Sequence, residues 1–243
     1  MNLRFVIGLI CIILIEILPL HAENKTDLKS LEWQPIVLIT GISVLAYQWD
    51  QPINNNIVKN PIGQVGYFIG NPITLTSLAG AGYVYGWMTH NDQLQSFSQL
   101  GLESLIYTQI VVESIKILAK RSRPRITDSS TVWNGFNSDG KIFDDDKESF
   151  PSSHSACAFA FATVIADHYR QNEWIVYGSY STATAIAVSR LYAKDHWLSD
   201  VIIGSTIGFF VAKEVVFLKS QSGITFVPSI SSDGFAISCG ITF

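Results

Sequence analysis

Long apolar segments separated by short polar stretches run along most of this chain. They continue for too many residues to be strands, and Gly, Pro, Asn and Asp mark their ends. The pattern predicts helices near 35–49, 72–88, 97–120, 153–169, 174–193 and 197–218. We therefore expect a mainly α fold in which six helices form one bundle.

The two ends of the chain differ from this helical part. Residues 1–22 hold Arg4, an apolar stretch and then Ala22 before a polar run, which is typical of a secretory signal peptide; a retained membrane anchor is the alternative. From Phe235 to Phe243, apolar residues alternate with small or polar ones, which predicts a short C-terminal β-hairpin. The expected parts are a signal peptide at 1–22, a helical domain at 23–222 and a hairpin tail at 223–243.

The composition narrows the class of protein. Hydrophobic residues make up 48% of the 243 residues and charged residues only 15%, which excludes a disordered chain. The formal net charge is -4, so the chain has no basic field that would attract nucleic acid. Small residues are frequent at 72–88 and 198–212, as in packed membrane helices, and we expect a membrane-embedded bundle with 72–88 and 101–119 as spans. A soluble periplasmic bundle is the alternative.

Lys116 and Arg123 stand seven residues apart at the end of the third predicted helix, followed by Pro124. Seven residues is close to two helical turns, so both side chains are expected on one helix face. Cations also stabilise the C-terminal end of a helix. The spacing alone is therefore compatible with two interpretations, basic residues that only cap the helix and basic residues that bind an anion.

The fourth predicted helix opens with Ser152, Ser153 and His154. Ser152 is a good N-cap residue, and the free backbone N–H groups after it would point outward at the positive end of the helix. Such a helix end binds phosphate, and His154 is placed to give a proton to a bound group. A plain helix cap with a surface histidine is the alternative.

Arg190, His196 and Asp200 lie between the last two predicted helices. His196 and Asp200 are four residues apart, so the carboxylate can accept the Nδ1 proton and leave Nε2 free for nucleophilic attack. Arg190 offers a planar pair of donors to two phosphate oxygens. An ordinary surface hydrogen bond between His196 and Asp200 is the alternative.

Taken together and in this order, the three stretches resemble the signature of the type 2 phosphatidic acid phosphatase (PAP2) and vanadium haloperoxidase superfamily. That signature reads Lys-x6-Arg-Pro, Pro-Ser-Gly-His and Ser-Arg-x5-His-x3-Asp. The resemblance runs from Lys116 to Asp200. It implies a six-helix PAP2-type bundle, because the flanking helices fit the family core in order.

The resemblance also implies a role for each matched residue. The phosphate oxygens would be bound by Lys116, Arg123, Ser152, the backbone N–H of Ser153, and Arg190. His196 would be the nucleophile that forms a phosphohistidine, Asp200 its orienting partner, and His154 the acid that protonates the leaving alcohol. No metal or other cofactor is implied, because the cations supply the electrostatic stabilisation.

Ser153 stands where the family usually has Gly. If the backbone at this position needs a positive φ, Ser destabilises it by about 1 kcal/mol relative to Gly. If the position is the first turn of a helix, Ser causes no destabilisation. We expect the second case. A long polar stretch, 125–150, precedes this motif and is expected to be a functional or mobile loop, with a lid over the site as one option. Its acidic run at 144–148 is expected to be a solvated face.

The expected function is a metal-independent phosphatase that acts on a phosphomonoester or diphosphate of an envelope lipid. Candidate substrates are phosphatidic acid, phosphatidylglycerol phosphate, undecaprenyl diphosphate and the phosphates of lipid A. The expected place is a bacterial inner membrane with a periplasm-facing site. The alternatives are a soluble periplasmic non-specific acid phosphatase acting on small phosphoesters, a vanadium haloperoxidase, and an inactive phospholipid-binding protein.

Overall fold

The computed structural model describes residues 33–135, 143–222, 224–231 and 234–241. The predicted signal peptide at 1–22 lies outside the described residues. A 3-10 turn, Asp145–Lys147, lies between the fourth and fifth helices. The other elements are α1 Trp33–Asn56, α2 Ile62–Ile69, α3 Pro72–Met88, α4 Asp92–Ala119, α5 Ser153–His168, α6 Glu173–Tyr192, α7 Leu198–Ser222, β1 Ile224–Ser231 and β2 Gly234–Ile241.

The six helices predicted from the apolar segments are confirmed, and three of them begin at an asparagine cap. The side chains of Asn71, Asn91 and Asn172 accept hydrogen bonds from backbone N–H groups two or three residues later. Each cap satisfies a donor that the first helical turn would otherwise leave without a partner. The mainly α fold class is therefore confirmed.

Two features of the helices differ from the prediction. The helix α2 was not expected, because it has only eight residues and contains Gly63 and Gly66, which lower helix propensity. The glycine is needed for packing, since a Cβ at Gly66 would overlap the Ser189 hydroxyl of α6. The helix α1 also continues beyond residue 49, the expected end, and contains Pro52. The Ile57 N–H donates to the Ile53 carbonyl at 3.0 Å just after its last residue.

The helix α5 lies inside the bundle and packs against α4, α6 and α7. Glycines on α7 allow its backbone to approach α5 closely: a Cβ at Gly208 would lie 1.9 Å from the Ala156 carbonyl oxygen. A Cβ at Gly204 would likewise clash with the carbonyl of Ser152. The start of α5 is therefore held directly against the start of α7, where the second and third motifs lie.

A hydrophobic cluster supports this end of the bundle. It joins α4, α5 and α7 through Val112, Ile115, Ala156, Ile203 and Ile207. Ile115 precedes Lys116 in α4, so the motif residues stand on a tightly packed base.

Two strands follow α7. They pair antiparallel, with Ile224 opposite Ile241 and Ser231 opposite Gly234. They form a two-stranded sheet in the part of the chain that the structure describes.

One helical segment of the described residues, Leu198–Ser220, is long and apolar enough to cross a membrane. The expected spans at 72–88 and 101–119 do not meet this measure, because α3 has 17 residues and 101–119 contains three charged residues. Large apolar side chains are nevertheless exposed on α2 and α3. This apolar surface consists of Ile62, Val65, Tyr67, Phe68, Ile69, Ile73, Leu78, Val84, Tyr85, Trp87 and Met88.

Candidate active site

The first predicted motif starts on α4 and ends beyond it. Lys116 lies in the last turn, and the helix ends at Ala119, because Lys120 has a left-handed backbone with φ of 46°. Arg123 therefore lies outside the helix, and the prediction that it shares a helix face with Lys116 is wrong. Its backbone N–H donates instead to the Asp146 carbonyl at 3.0 Å, which ties Arg123 to the loop before α5.

The second motif forms the start of α5. Ser152 is the N-cap, as expected, and its Oγ accepts from the Ser155 N–H at 3.4 Å. Ser153 is the first helical residue and has no positive φ, so Ser causes no strain where the family usually has Gly. Its hydroxyl donates to Glu113 at 3.0 Å. His154 follows in the first turn of the helix, where the backbone N–H groups face outward.

His196, in the third motif, lies in the connection before α7 and is buried. Its Nδ1 donates to the Ser149 carbonyl at 2.6 Å, whereas the Asp200 carboxylate lies 3.9 Å from Nδ1. The hydrogen bond predicted between His196 and Asp200 is thus replaced by one to Ser149. Asp200 accepts instead from the Trp197 N–H at 2.8 Å and the Ser149 hydroxyl at 2.5 Å, and it pairs with Arg121. The Nδ1 bond leaves Nε2 unprotonated, as a nucleophile requires.

Arg190, near the end of α6, is held from two sides. One guanidinium nitrogen donates to the Gly63 carbonyl of α2 at 2.9 Å, and another pairs with Asp195. The guanidinium carbon lies 5.3 Å from the centre of the Tyr67 ring. Among the described residues Arg190 Nε is buried without a hydrogen-bond partner. It is therefore a donor available to a ligand.

Each of the three expected phosphate-binding cations is paired with a carboxylate. The pairs are Lys116 with Glu113 at 3.1 Å, Arg123 with Asp145 at 2.6 Å, and Arg190 with Asp195. The sequence does not predict these carboxylates as partners of the cations, and it predicts Asp145 on a solvated face. The Asp145 side chain is indeed 72% exposed. Its ion pair with Arg123 joins residues 22 positions apart, so no local sequence pattern predicts it. A bound phosphate would compete with these carboxylates.

Both imidazoles lie in the field of these three cations. Burial is the main cause that lowers the pKa of His154 to about 3, and the three cations are the next causes. Burial first and then the same cations lower the pKa of His196 well below its ordinary value, with a further contribution from His154. Contacts agree with this. Tyr67 lies against both the His154 ring and the Arg190 guanidinium, and Arg123 and Arg190 both face Asp195. The structure thus brings the charged residues of all three motifs together.

The site opens into a cavity of about 360 Å³ beside Arg190. Its lining is Lys59, Asn60, Pro61, Gly63, Gln64, Tyr67, Arg190, Ala193 and Asp195. The Tyr67 ring stacks on His154 with 5.0 Å between ring centres, and in the described chain His154 Nε2 is buried without a partner. The sequence does not indicate Lys59 or Tyr67 as residues of the site, because they belong to α2 and the loop before it and this helix was not expected.

The positive charge of the site comes from side chains and from the start of α5. Within the described residues, no group of three or more His, Cys, Asp or Glu side chains is arranged to hold a metal ion. Three buried cations and a helix N-terminus are groups that commonly bind anions in proteins.

The chain is similar in sequence or in structure to several known proteins. The chain is 36% identical to the lipid A 1-phosphatase of Porphyromonas gingivalis over 66 residues, which are 27% of this chain and 15% of that relative. The match therefore covers only a small part of that relative's length. The structure of Aquifex aeolicus LpxE aligns with 70% of this chain and 93% of its own, with 20% identity and a TM-score of 0.48.

A PAP2-type phosphatidylglycerolphosphate phosphatase from Bacillus subtilis aligns with 78% of this chain and 97% of its own, with 17% identity and a TM-score of 0.48. The model of the PAP2 superfamily matches residues 100–222, just over half of the chain. That range includes all three motifs and the helices α5 and α6 that carry parts of them. The chain therefore belongs to the PAP2 superfamily.

Proposed function

We propose that this chain is a metal-independent lipid phosphatase that acts through a phosphohistidine intermediate. One observation carries the proposal: two buried imidazoles lie beside the same three cations, which after burial lower the pKa of both rings. His154 Nε2 and Arg190 Nε are buried there without partners among the described residues. Cations alone would only bind phosphate, whereas a nucleophile and an acid beside them allow hydrolysis.

His196 is the nucleophile in this mechanism. Its Nδ1 proton is held by the Ser149 carbonyl, so the Nε2 lone pair attacks phosphorus. A P–N bond forms as the bond between phosphorus and the leaving oxygen breaks. The ring becomes cationic, and the nearby Asp200 carboxylate stabilises that charge. Water then attacks phosphorus, the P–N bond breaks, and His196 returns to its neutral form.

His154 is the acid that protonates the leaving oxygen, and then the base that takes a proton from the water. In the empty site it is neutral, because its pKa is about 3. A phosphate dianion beside the ring favours the protonated form. Substrate binding therefore charges the acid that the first step needs.

The phosphate cradle consists of the three cations, Ser152 and the backbone N–H of Ser153. These groups stabilise the charge on the equatorial oxygens in the transition state, the task that metal ions perform in many other phosphoryl transferases. Because the cations are held by packed helices and ion pairs, they need little reorganisation when charge develops.

A phosphorylated envelope lipid is the proposed substrate. The cavity wall at Tyr67 continues into the apolar surface of α2 and α3, where the next residue, Phe68, is 71% exposed. Such a surface beside a phosphate site fits a ligand with a phosphate head and an apolar tail. The relative in Porphyromonas gingivalis carries the name lipid A 1-phosphatase. We further propose a membrane-bound protein in which α7 spans the inner membrane and the site faces the periplasm.

The test is a panel of phosphate-release assays on the purified full-length chain, with and without detergent. The panel holds phosphatidic acid, phosphatidylglycerol phosphate, undecaprenyl diphosphate, lipid A and a small chromogenic phosphate ester. We expect release from at least one lipid, and a loss of at least about a thousandfold in His196→Ala. The matched control is His168→Ala, because His168 is the last residue of α5 and stacks on Phe97 instead.

The intermediate is tested by mass spectrometry of the chain quenched during turnover with denaturant at alkaline pH, because the P–N bond of a phosphohistidine is hydrolysed in acid. We expect a phosphate group on His196 of the wild-type chain. A chain that hydrolyses only the small ester without detergent would be a soluble acid phosphatase, and equal activity of His196→Ala and wild type would rule out the mechanism.

A further inference from the structure

A buried row of charges lies behind His196, and its members come from distant parts of the sequence. Arg121 is fully buried, and its guanidinium lies between the carboxylates of Asp50 on α1 and Asp200 on α7. The distance from Arg121 to Asp50 is 2.7 Å, and both carboxylates are fully buried. Asp50 lies outside residues 100–222, which the family model matches.

Arg121 is fixed on every side. Its Nη2 donates to the Ser130 carbonyl at 2.8 Å, and its Nη1 donates to the Ser199 hydroxyl at 2.8 Å. Three aromatic rings surround the guanidinium carbon at 4.7 to 5.4 Å, those of Tyr47, Trp133 and Trp197. A guanidinium held in this way also fixes the carboxylate that it contacts.

Asp50 is fixed as firmly as Arg121. One of its carboxylate oxygens accepts from the Ser199 N–H at 2.8 Å, in the first turn of α7. The other accepts from the Ser199 hydroxyl at 2.6 Å as well as from Arg121. Asp50 thus joins α1 to the start of α7, two residues after His196.

The row of charges reaches the His196 ring through Ser149. The Ser149 hydroxyl donates to Asp200 at 2.5 Å, and the Ser149 carbonyl accepts from His196 Nδ1 at 2.6 Å. The ring nitrogen at this end is the one opposite Nε2. Any positive charge that forms on the ring therefore faces Asp200, Arg121 and Asp50 in turn.

We propose that Asp50 and Arg121 are positioning residues for His196, and that together with Asp200 they hold one net negative charge behind its ring. The inference rests on the proposed phosphohistidine function. Two carboxylates and one guanidinium sum to a single negative charge. Without Asp50, Arg121 would neutralise Asp200, and the ring would face no net charge when it becomes cationic.

The first variant is Asp50→Asn, which keeps the shape of the side chain and removes its charge. We expect kcat to fall about 10- to 50-fold with KM unchanged, the effect of a unit charge roughly 7 to 10 Å away at an effective dielectric constant of about 20. Binding of orthovanadate, a mimic of the pentacoordinate phosphoryl group, is expected to weaken by the same factor.

The double variant Asp50→Asn with Arg121→Gln separates charge from packing. It leaves Asp200 as the only charge of the three, so the net charge returns to one negative. We expect kcat and vanadate affinity within about fivefold of wild type, a recovery relative to the single variant. A merely structural role predicts the opposite, because the double variant loses more contacts.

The matched control is Gln51→Ala. Gln51 accepts from the Ser130 N–H at 3.0 Å and so joins α1 to the same loop without a charge. Unchanged kcat and vanadate binding in this control, with the losses and recovery above, supports the proposal. A folded Asp50→Asn chain with wild-type kcat and vanadate affinity overturns it, as does a double variant weaker than the single one.

Vanadate binding keeps this test separate from that of the proposed function. If the wild-type chain hydrolyses nothing, the phosphatase proposal fails, but the vanadate comparison still decides whether Asp50 sets the field at His196. If Asp50→Asn does not fold, the double variant decides, because the proposal requires it to bind vanadate nearly as wild type does.

Discussion

A tetrahedral dianion bound at the site is expected to raise the pKa of His154 towards that of an ordinary histidine. In the empty site, burial and then the three cations hold this pKa at about 3 instead of 6.5. Sulfate is a dianion throughout the useful pH range, and among these cations it cancels most of their field. Sulfate acts against the contribution of the cations and leaves the burial in place, so the coupling between anion and proton is expected to be smaller than the about 5 kcal/mol of a full return to the ordinary value.

The sign of the pH dependence follows from this shift. Because the pKa of His154 is higher in the bound state, sulfate binding takes up a proton at any pH between the two pKa values. Sulfate affinity is therefore expected to rise about tenfold for each pH unit between the bound and the free pKa as the pH falls. Above the bound pKa the contribution of His154 becomes constant.

Calorimetric titration with sulfate near pH 5, in buffers of different ionisation enthalpy, counts the protons. We expect His154→Gln to take up about one proton fewer per sulfate than wild type. The control is His168→Gln at the far end of α5, which is expected to match wild type. Equal uptake by wild type and His154→Gln would refute the reasoning.

Three further predictions concern residues around the cradle. Asp145→Asn is expected to tighten inhibition by phosphate about two- to fivefold, because Arg123 loses an exposed competitor; unchanged inhibition would contradict this. Ser153→Gly is expected to lower the stability by about 1 kcal/mol in thermal unfolding, since the hydrogen bond to Glu113 is lost, with kcat within about threefold of wild type; a large loss of kcat would show a catalytic role for the hydroxyl. Lys59→Ala is expected to raise KM about threefold for a diphosphate and to leave a monoester unchanged, because Lys59 lines the cavity beside Arg190 without belonging to the phosphate cradle; equal effects on both substrates would contradict this.

Much of the fold could be predicted from sequence because its helices are long and clearly bounded. The segment predicted at 72–88 agrees with α3, Pro72–Met88, where an asparagine cap and a proline mark the start. The helix α2 could not be predicted, because its glycines disfavour a helix in isolation and are explained only by contact with α6. Tyr67 was missed together with the helix that carries it.

The residues of the site were easier to predict than their partners. Spacing in the sequence correctly indicated the Ser152 cap, because capping is a local interaction. The same argument failed for His196 and Asp200, because the carboxylate also caps the Trp197 N–H and pairs with Arg121. The pair of Arg121 and Asp50 spans 71 positions, so no local pattern reports it.

The carboxylates beside the cradle explain how so many cations can share one buried site before substrate arrives. Three cations paired with three carboxylates are neutral in sum, and both imidazoles have lowered pKa values. The empty site therefore folds without an anion to balance it. The same balance limits how tightly inorganic phosphate is held, because each oxygen that binds a cation must compete with a carboxylate. A phosphatase benefits from weak product binding, since a cradle that held phosphate as firmly as the transition state would release its product too slowly to turn over.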